Sequence, residues 1–147
     1  MIRSILCVCQ ANISRSAMME GWLKKLTDGR DLRIESAGTF IDVPVDYLNK
    51  GPNPKAVACM KEVDIDISGH RNRPLSAVRL EEFDLIICLT PALAHQVLSL
   101  NPRGAVMIAN ATNGGIPDIH EKGADAYTEC SQIMQRVSRE IILKYLF

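Results

Sequence analysis

The chain has 147 residues, of which 47% are hydrophobic and 23% charged, a globular composition suited to one ordinary domain and incompatible with a disordered chain. Seventeen Lys and Arg balance seventeen Asp and Glu, which argues against broad electrostatic attraction to nucleic acid or to an anionic membrane and leaves room only for a local basic pocket. No apolar run reaches the roughly 20 residues of a membrane helix and no signal-peptide cleavage pattern opens the chain, so a soluble cytoplasmic protein without membrane insertion is expected.

Ile2 to Cys9 is an apolar run of strand length interrupted by Arg3-Ser4, consistent with a central buried strand. From Arg15 the period changes to helical: Met18, Met19, Trp22, Leu23 and Leu26 form one stripe, and Asp28-Gly29 ends it. Leu32 to Glu35 alternates as a short strand, and Ser36-Ala37-Gly38-Thr39 reads as a turn. Phe40 to Pro54, with three prolines and one glycine, reads as a long functional loop. Pro54 to Val63 suits a helix with Pro at its start. Residues 68–83 carry a Ser-Gly turn, the run His70-Arg71-Asn72-Arg73 and a short helical pattern. Asp84 to Leu89 is a second buried strand, Thr90-Pro91 opens a helix to about Leu100, and Ala105 to Ile108 is a last short strand. A loop from Asn110 to Gly123 leads into a final helix with Ala126, Cys130, Ile133, Met134, Val137, Ile141 and Tyr145 at helical spacing. Strands alternating with helices imply a single-domain α/β fold with a parallel sheet covered on both faces. Such sheets bind ligands at the carboxyl ends of their strands, and the first strand ends at Cys9.

Five cysteines, Cys7, Cys9, Cys59, Cys88 and Cys130, are an odd number in a chain large enough to fold without disulfides, and their spacing fits no zinc pattern. Most read as buried small hydrophobes. Cys9 is the exception, because residues 9–16 read Cys-Gln-Ala-Asn-Ile-Ser-Arg-Ser between a strand and a helix. A loop there can wrap an anion with backbone amides, the helix start adds free N–H groups and positive dipole potential, and Arg15 adds a planar fork matched to phosphate oxygens. The same surroundings favour a thiolate at Cys9, Ser16 can donate its hydroxyl to that sulfur, and Asn12 tolerates a left-handed backbone. The plain alternative is a core cysteine at a strand end beside a surface arginine.

Val8 to Glu20, Val-Cys-Gln-Ala-Asn-Ile-Ser-Arg-Ser-Ala-Met-Met-Glu, resembles the signature of the low-molecular-weight protein tyrosine phosphatase family. The resemblance continues through Glu35-Ser-Ala-Gly-Thr39, Gly51-x-x-Pro54, Asp64-Ile-Asp-Ile-Ser-Gly-His70, Arg73, Asp84-Leu-Ile-Ile and Ile116-Pro-Asp118, in order along nearly the whole chain. It implies a four-stranded parallel sheet flanked by helices, with a phosphate loop of Gln10, Ala11, Asn12, Ile13 and Ser14 between the first strand and first helix, and neither metal nor organic cofactor. It further implies Cys9 as the nucleophile that forms a phosphocysteine, Arg15 as the clamp on the transferred phosphoryl group, and Asp118 as general acid and then base. Asn12, Ser16, Ser36 and His70 match the polar network that supports the loop. The implied partner is a phosphotyrosine protein or another phosphate-like oxyanion, and a monomer is expected.

This chain departs from the family pattern in places. Ala11 stands where Gly is usual, Ser14 replaces a second loop cysteine, and Ala17 stands where Pro is frequent. Ile119-His120 follow Asp118 in place of Pro and an aromatic residue, and Phe40 and Tyr47 are both candidates for a ring on the opposite wall. Apolar Ile13 in the loop suits an aryl substrate over a guanidinium. Ser16-Ala-Met-Met-Glu-Gly-Trp22 and Asn53 to Val63 are also similar to thioredoxin-coupled arsenate reductases of the same fold. That chemistry needs two further cysteines on a mobile segment after the third strand, whereas residues 89–100 hold none and Cys88 reads as core. Arsenate reductase is therefore the alternative reading, and a catalytically weak phosphate-binding regulatory module is the second.

Overall fold

A computed structural model describes residues 1–44 and 46–147. The expected loop Phe40–Pro54 includes Val45, which lies outside the described residues. Four strands and four helices alternate as β1 (Ser4–Cys9), α1 (Arg15–Leu26), β2 (Arg33–Gly38), α2 (Pro54–Lys61), β3 (Leu85–Cys88), α3 (Pro91–Leu98), β4 (Ala105–Ile108) and α4 (Ala124–Tyr145). The sheet is parallel throughout, in the order β2-β1-β3-β4. The chain leaves β1 to one side for β2 and later returns to its other side for β3. That reversal opens a crevice beyond the carboxyl end of β1.

Every residue of β1 and β3 is buried, which is why both read as apolar runs rather than alternating ones. The polar Arg3-Ser4 pair moves the start of β1 from the expected Ile2 to Ser4. Its groups are satisfied by Asp84: the Arg3 and Ser4 N–H groups donate to Asp84 Oδ2 at 2.8 and 3.2 Å, and Asp84 N–H donates back to Ser4 Oγ at 2.9 Å. Asp84 thus stands just outside β3 instead of opening it. Arg103 Nη2 completes the cluster at 2.9 Å from Asp84 Oδ1.

The stripe of α1 is buried as expected through Met18, Met19, Trp22 and Leu23. This helix packs on α4, α2 packs on α4 as well, and α3 packs on β3 and β4. Trp22 Nε1 donates to Ser131 Oγ of α4 at 3.0 Å, so the buried indole keeps a partner. Pro starts both α2 and α3, and the caps are Asn53, which accepts from Lys55 N–H at 2.9 Å, and Thr90, which accepts from Leu93 N–H at 3.2 Å. No helix is long and apolar enough to cross a membrane among the described residues.

One local expectation is corrected. Ser36-Ala37-Gly38 is not a turn: these residues are the last three of β2, in register with Cys7, Val8 and Cys9 of β1. The glycine is there for close approach, since a Cβ on Gly38 would lie 2.4 Å from the Gln10 carbonyl oxygen.

Candidate active site

Cys9 ends the central strand and Arg15 begins α1, so the five residues between them curl across the crevice. Asn12 makes the sharp point of that curl with φ of 58°. Ala11 is not among the left-handed residues, which is why it can stand in place of Gly. Asn12 N–H donates to Cys9 Sγ at 3.2 Å, and Ser16 Oγ lies 2.8 Å from the same sulfur. Among the described residues, the amides of Ala11, Ile13, Ser14 and Arg15 have no hydrogen-bond acceptor, and the first turn of α1 carries no acidic side chain. A ring of unpaired N–H groups around a sulfur at a helix start is an anion cradle.

The loop is held from outside by three segments, residues 36–40, Asn53 and residues 70–73. Thr39 and Phe40 N–H groups donate to the Cys9 and Gln10 carbonyls, each at 2.9 Å. Asn53 N–H donates to Ile13 O at 2.9 Å. His70 Nε2 lies 2.7 Å from Asn12 O, and a carbonyl only accepts, so that nitrogen carries the proton. Asn72 Nδ2 donates to Ala11 O at 3.0 Å and to Tyr47 O at 2.8 Å, and its Oδ1 accepts from Lys50 N–H at 2.6 Å. The Asn12 side chain spans the interior: Nδ2 donates to Ser16 Oγ at 2.7 Å and to Ser36 Oγ at 3.0 Å, while Oδ1 accepts from Arg73 N–H at 3.1 Å.

A cleft of about 390 Å³ opens above the loop, lined by residues 9–15, by Asp42, Val43, Pro44 and Tyr47 on one side, and by Asp118, Ile119 and His120 on the other. The loop that carries Asp118 is brought there by β3, because Ile116 N–H donates to Leu89 O at 2.7 Å. Gly115 permits that crossing with φ of 102°, and a Cβ on it would lie 2.7 Å from the Leu89 carbonyl. Arg15 Nη1 donates to Ile116 O at 3.1 Å, and Asp118 is exposed with Oδ1 accepting from His120 N–H at 2.9 Å. Of the two candidate rings, Tyr47 lines the cleft and Phe40 does not. Gln10 is exposed and turns its amide to the Ile41 carbonyl at 2.6 Å.

Residues 4–145 match the sequence family described as low molecular weight phosphotyrosine protein phosphatase. The chain belongs to that family. The probable low molecular weight protein-tyrosine-phosphatase EpsP of Ralstonia nicotianae is 30% identical over 139 residues, covering 92% of this chain and 91% of that one. Arsenate reductase 1 of Staphylococcus haemolyticus is 40% identical over 87 residues, which is 59% of each chain, so this chain spans about three fifths of the length of these curated relatives. The tyrosine phosphatase Wzb of Escherichia coli K30, solved with sulphate, superimposes with a TM-score of 0.86 at 22% identity, covering 98% of this chain and 99% of that one. At that identity the match speaks for the fold alone.

The remaining cysteines are all free and buried. Burial pushes the Cys88 and Cys130 thiols up to about 12 and Cys59 up to about 11. Burial, then the Glu20 carboxylate, pushes Cys7 up as well. Cys88 lies inside β3 with no exposure at all. Two residues beside the loop escaped the sequence reading. Asn72 is hidden inside a run of cations that looks like a solvated face, yet it is buried at 3% exposure. Glu20 sits one turn beyond Ser16 on α1, and that helical spacing was the signal that could have found it.

Proposed function

We propose that this chain is a phosphomonoester hydrolase acting on protein phosphotyrosine through a phosphocysteine intermediate. The observation that carries the reading is the Cys9 sulfur on the floor of an amide-lined loop, with Asp118 on the rim of the same cleft. Arg15 and the free loop amides bind the phosphate oxygens and hold phosphorus over Sγ. The sulfur attacks, an S–P bond forms, and the P–O bond to the tyrosine breaks while Asp118 gives its proton to the departing phenolic oxygen. Asp118 then takes a proton from water as that water attacks phosphorus. The S–P bond breaks, inorganic phosphate leaves, and the thiolate is received by the Ser16 hydroxyl and the Asn12 N–H. Gln10, Ala11, Ile13 and Ser14 supply the loop backbone, and Ser36 and His70 hold it in shape through Asn12.

Tyr47 and Pro44 facing Ile119 and His120 make a slot for an aryl ring, which supports phosphotyrosine over phosphoarginine. The proposed setting is a reducing cytoplasm, where all five cysteines remain thiols, and the proposed working unit is a monomer.

The likeness to arsenate reductases over 87 residues supports thiol-coupled arsenate reduction as a second reading. Cys88, the one cysteine near the segment after β3, is sealed in the sheet and weighs against it. Steady-state hydrolysis of a phosphotyrosine peptide, para-nitrophenyl phosphate and phosphoarginine, beside arsenate reduction with thioredoxin and its reductase, tests the choice. Phosphate release from the aryl esters that disappears in Cys9→Ser is expected. Arsenate turnover without aryl phosphatase activity would overturn the proposal. Phosphopeptide binding with no turnover would favour a regulatory module.

A further inference from the structure

The hydrogen bonds that support Cys9 run in one direction, and a residue outside the loop sets it. Arg73 N–H occupies Asn12 Oδ1, which orients the Asn12 amide and sends both of its N–H groups inward. One goes to Ser16 Oγ at 2.7 Å and the other to Ser36 Oγ at 3.0 Å. Ser16, already accepting, has its own proton free for Cys9 Sγ at 2.8 Å. Ser36, also accepting, must find an acceptor for its proton, and Glu20 Oε1 lies 2.5 Å away. Lys24 Nζ sits 2.6 Å from the other oxygen of this carboxylate, whose side chain is 17% exposed, a charge-assisted contact that leaves Oε1 to Ser36.

We propose that Glu20 is a positioning residue for the Cys9 thiolate: as the terminal acceptor of the chain Ser36–Asn12–Ser16, it fixes every proton so that Ser16 donates to sulfur. Without that acceptor the Ser36 hydroxyl has a proton to place in a site only 3% exposed. It turns away, one Asn12 N–H is left unpaired, and the amide that aims Ser16 is loosened. This rests on the proposed use of Cys9 as nucleophile.

The charge of Glu20 and its hydrogen bond push in opposite directions, which makes the inference testable. A carboxylate near a thiolate disfavours it by repulsion, so removing Glu20 for its charge alone eases ionisation of Cys9. Removing the terminal acceptor hinders it. The groups around Glu20 are Lys24 on its own helix, Asp66 and His70 on the segment after α2, Ser36 on β2 and Cys7 on β1. Those around Cys9 are Cys7, Arg15 and, across the cleft, Asp118.

The experiment is iodoacetamide alkylation of the full chain against pH, read at Cys9 by peptide mass mapping, with kcat and KM for para-nitrophenyl phosphate alongside. Glu20→Met keeps the length and packing of the side chain and removes the acceptor. It is expected to raise the alkylation midpoint by about one pH unit, a tenfold loss of thiolate below it, and to lower kcat about tenfold with KM within twofold. Glu20→Gln keeps an acceptor oxygen and loses the charge, and is expected to stay within about threefold of the parent in both readouts. An unchanged or lowered midpoint in Glu20→Met overturns the inference. If Glu20→Met does not fold, Glu20→Ala, which removes the same acceptor from this half-buried helical position, takes its place: a raised midpoint supports the inference and an unchanged or lowered one overturns it. Alkylation needs no turnover, so a chain that hydrolyses none of the phosphate esters would sink the proposed function while this readout still decides the role of Glu20.

Discussion

At the scale of single residues, the site divides between groups that line the cleft and groups that hold those in place. Asp118 is exposed on the rim and, among the described residues, is tied down only by the His120 N–H, so its replacement should leave the loop unchanged. Asp118→Asn should lose roughly a hundredfold or more in kcat on phenyl phosphate, whose leaving oxygen needs a proton, and far less on para-nitrophenyl phosphate. Equal losses on the two esters would mean that Asp118 does not protonate the leaving group. Tyr47 is half-buried along one wall, its backbone carbonyl held by Asn72. Tyr47→Ala should cost about tenfold in kcat/KM on a phosphotyrosine peptide, the worth of one aromatic contact, while an alkyl phosphate of similar size is little affected. A uniform loss across both substrates would assign Tyr47 to loop support instead of ring recognition.

At the scale of elements, the close seating of β2 beneath the loop after β1 is what allows Thr39 and Phe40 to bind the Cys9 and Gln10 carbonyls. Gly38 is the contact point. Gly38→Ala places a methyl against the Gln10 carbonyl, so either β2 or the loop must shift. A loss of about 1–3 kcal/mol in stability is expected from such overpacking, together with weaker protection of Cys9 from alkylation by inorganic phosphate. Unchanged protection in a destabilised Gly38→Ala chain would show that the strand, and not the loop, had given way. The turn expected at residues 36–39 and the strand found there differ for a physical reason: Ser-Ala-Gly has turn composition, but three residues of β1 in register outweigh local preference.

At the scale of the whole molecule, the end of the sheet opposite the site is closed by charge. Asp84 receives Arg103 and two backbone N–H groups from the start of β1. The Arg103 hydrogen bond, followed by that from Arg3 N–H, holds its carboxyl down at about 2 from an ordinary 3.8. A carboxyl lowered on folding stabilises the fold above its ordinary value, and that contribution is lost as pH falls through about 2. The parent chain should therefore melt a few degrees above Asp84→Asn at pH 6, with the gap closing between pH 4 and pH 2. A gap constant across that range would mean that Asp84 acts through packing alone. Glu35 works in the same sense: burial would raise its carboxyl, but hydrogen bonds from Arg33 and Arg73 hold it below the usual range.

How much was legible beforehand follows from the range of the interactions involved. The order of strands and helices, the starts of α2 at Pro54 and of α3 at Thr90-Pro91, and the loop from Cys9 to Arg15 were readable because periodicity, proline placement and a strand–loop–helix motif are local properties of the chain. Tyr47 over Phe40, the burial of Asn72 within a basic run, and the reach of Glu20 through Ser36 to Asn12 were not readable. Each depends on which segments β2, β3 and the turns after α2 bring against the loop, and hydrogen bonds between residues tens of positions apart leave no spacing to detect. The neighbourhood of Cys9 was written in eight consecutive residues, and the walls of its cleft came into being only when distant loops met over the end of β1.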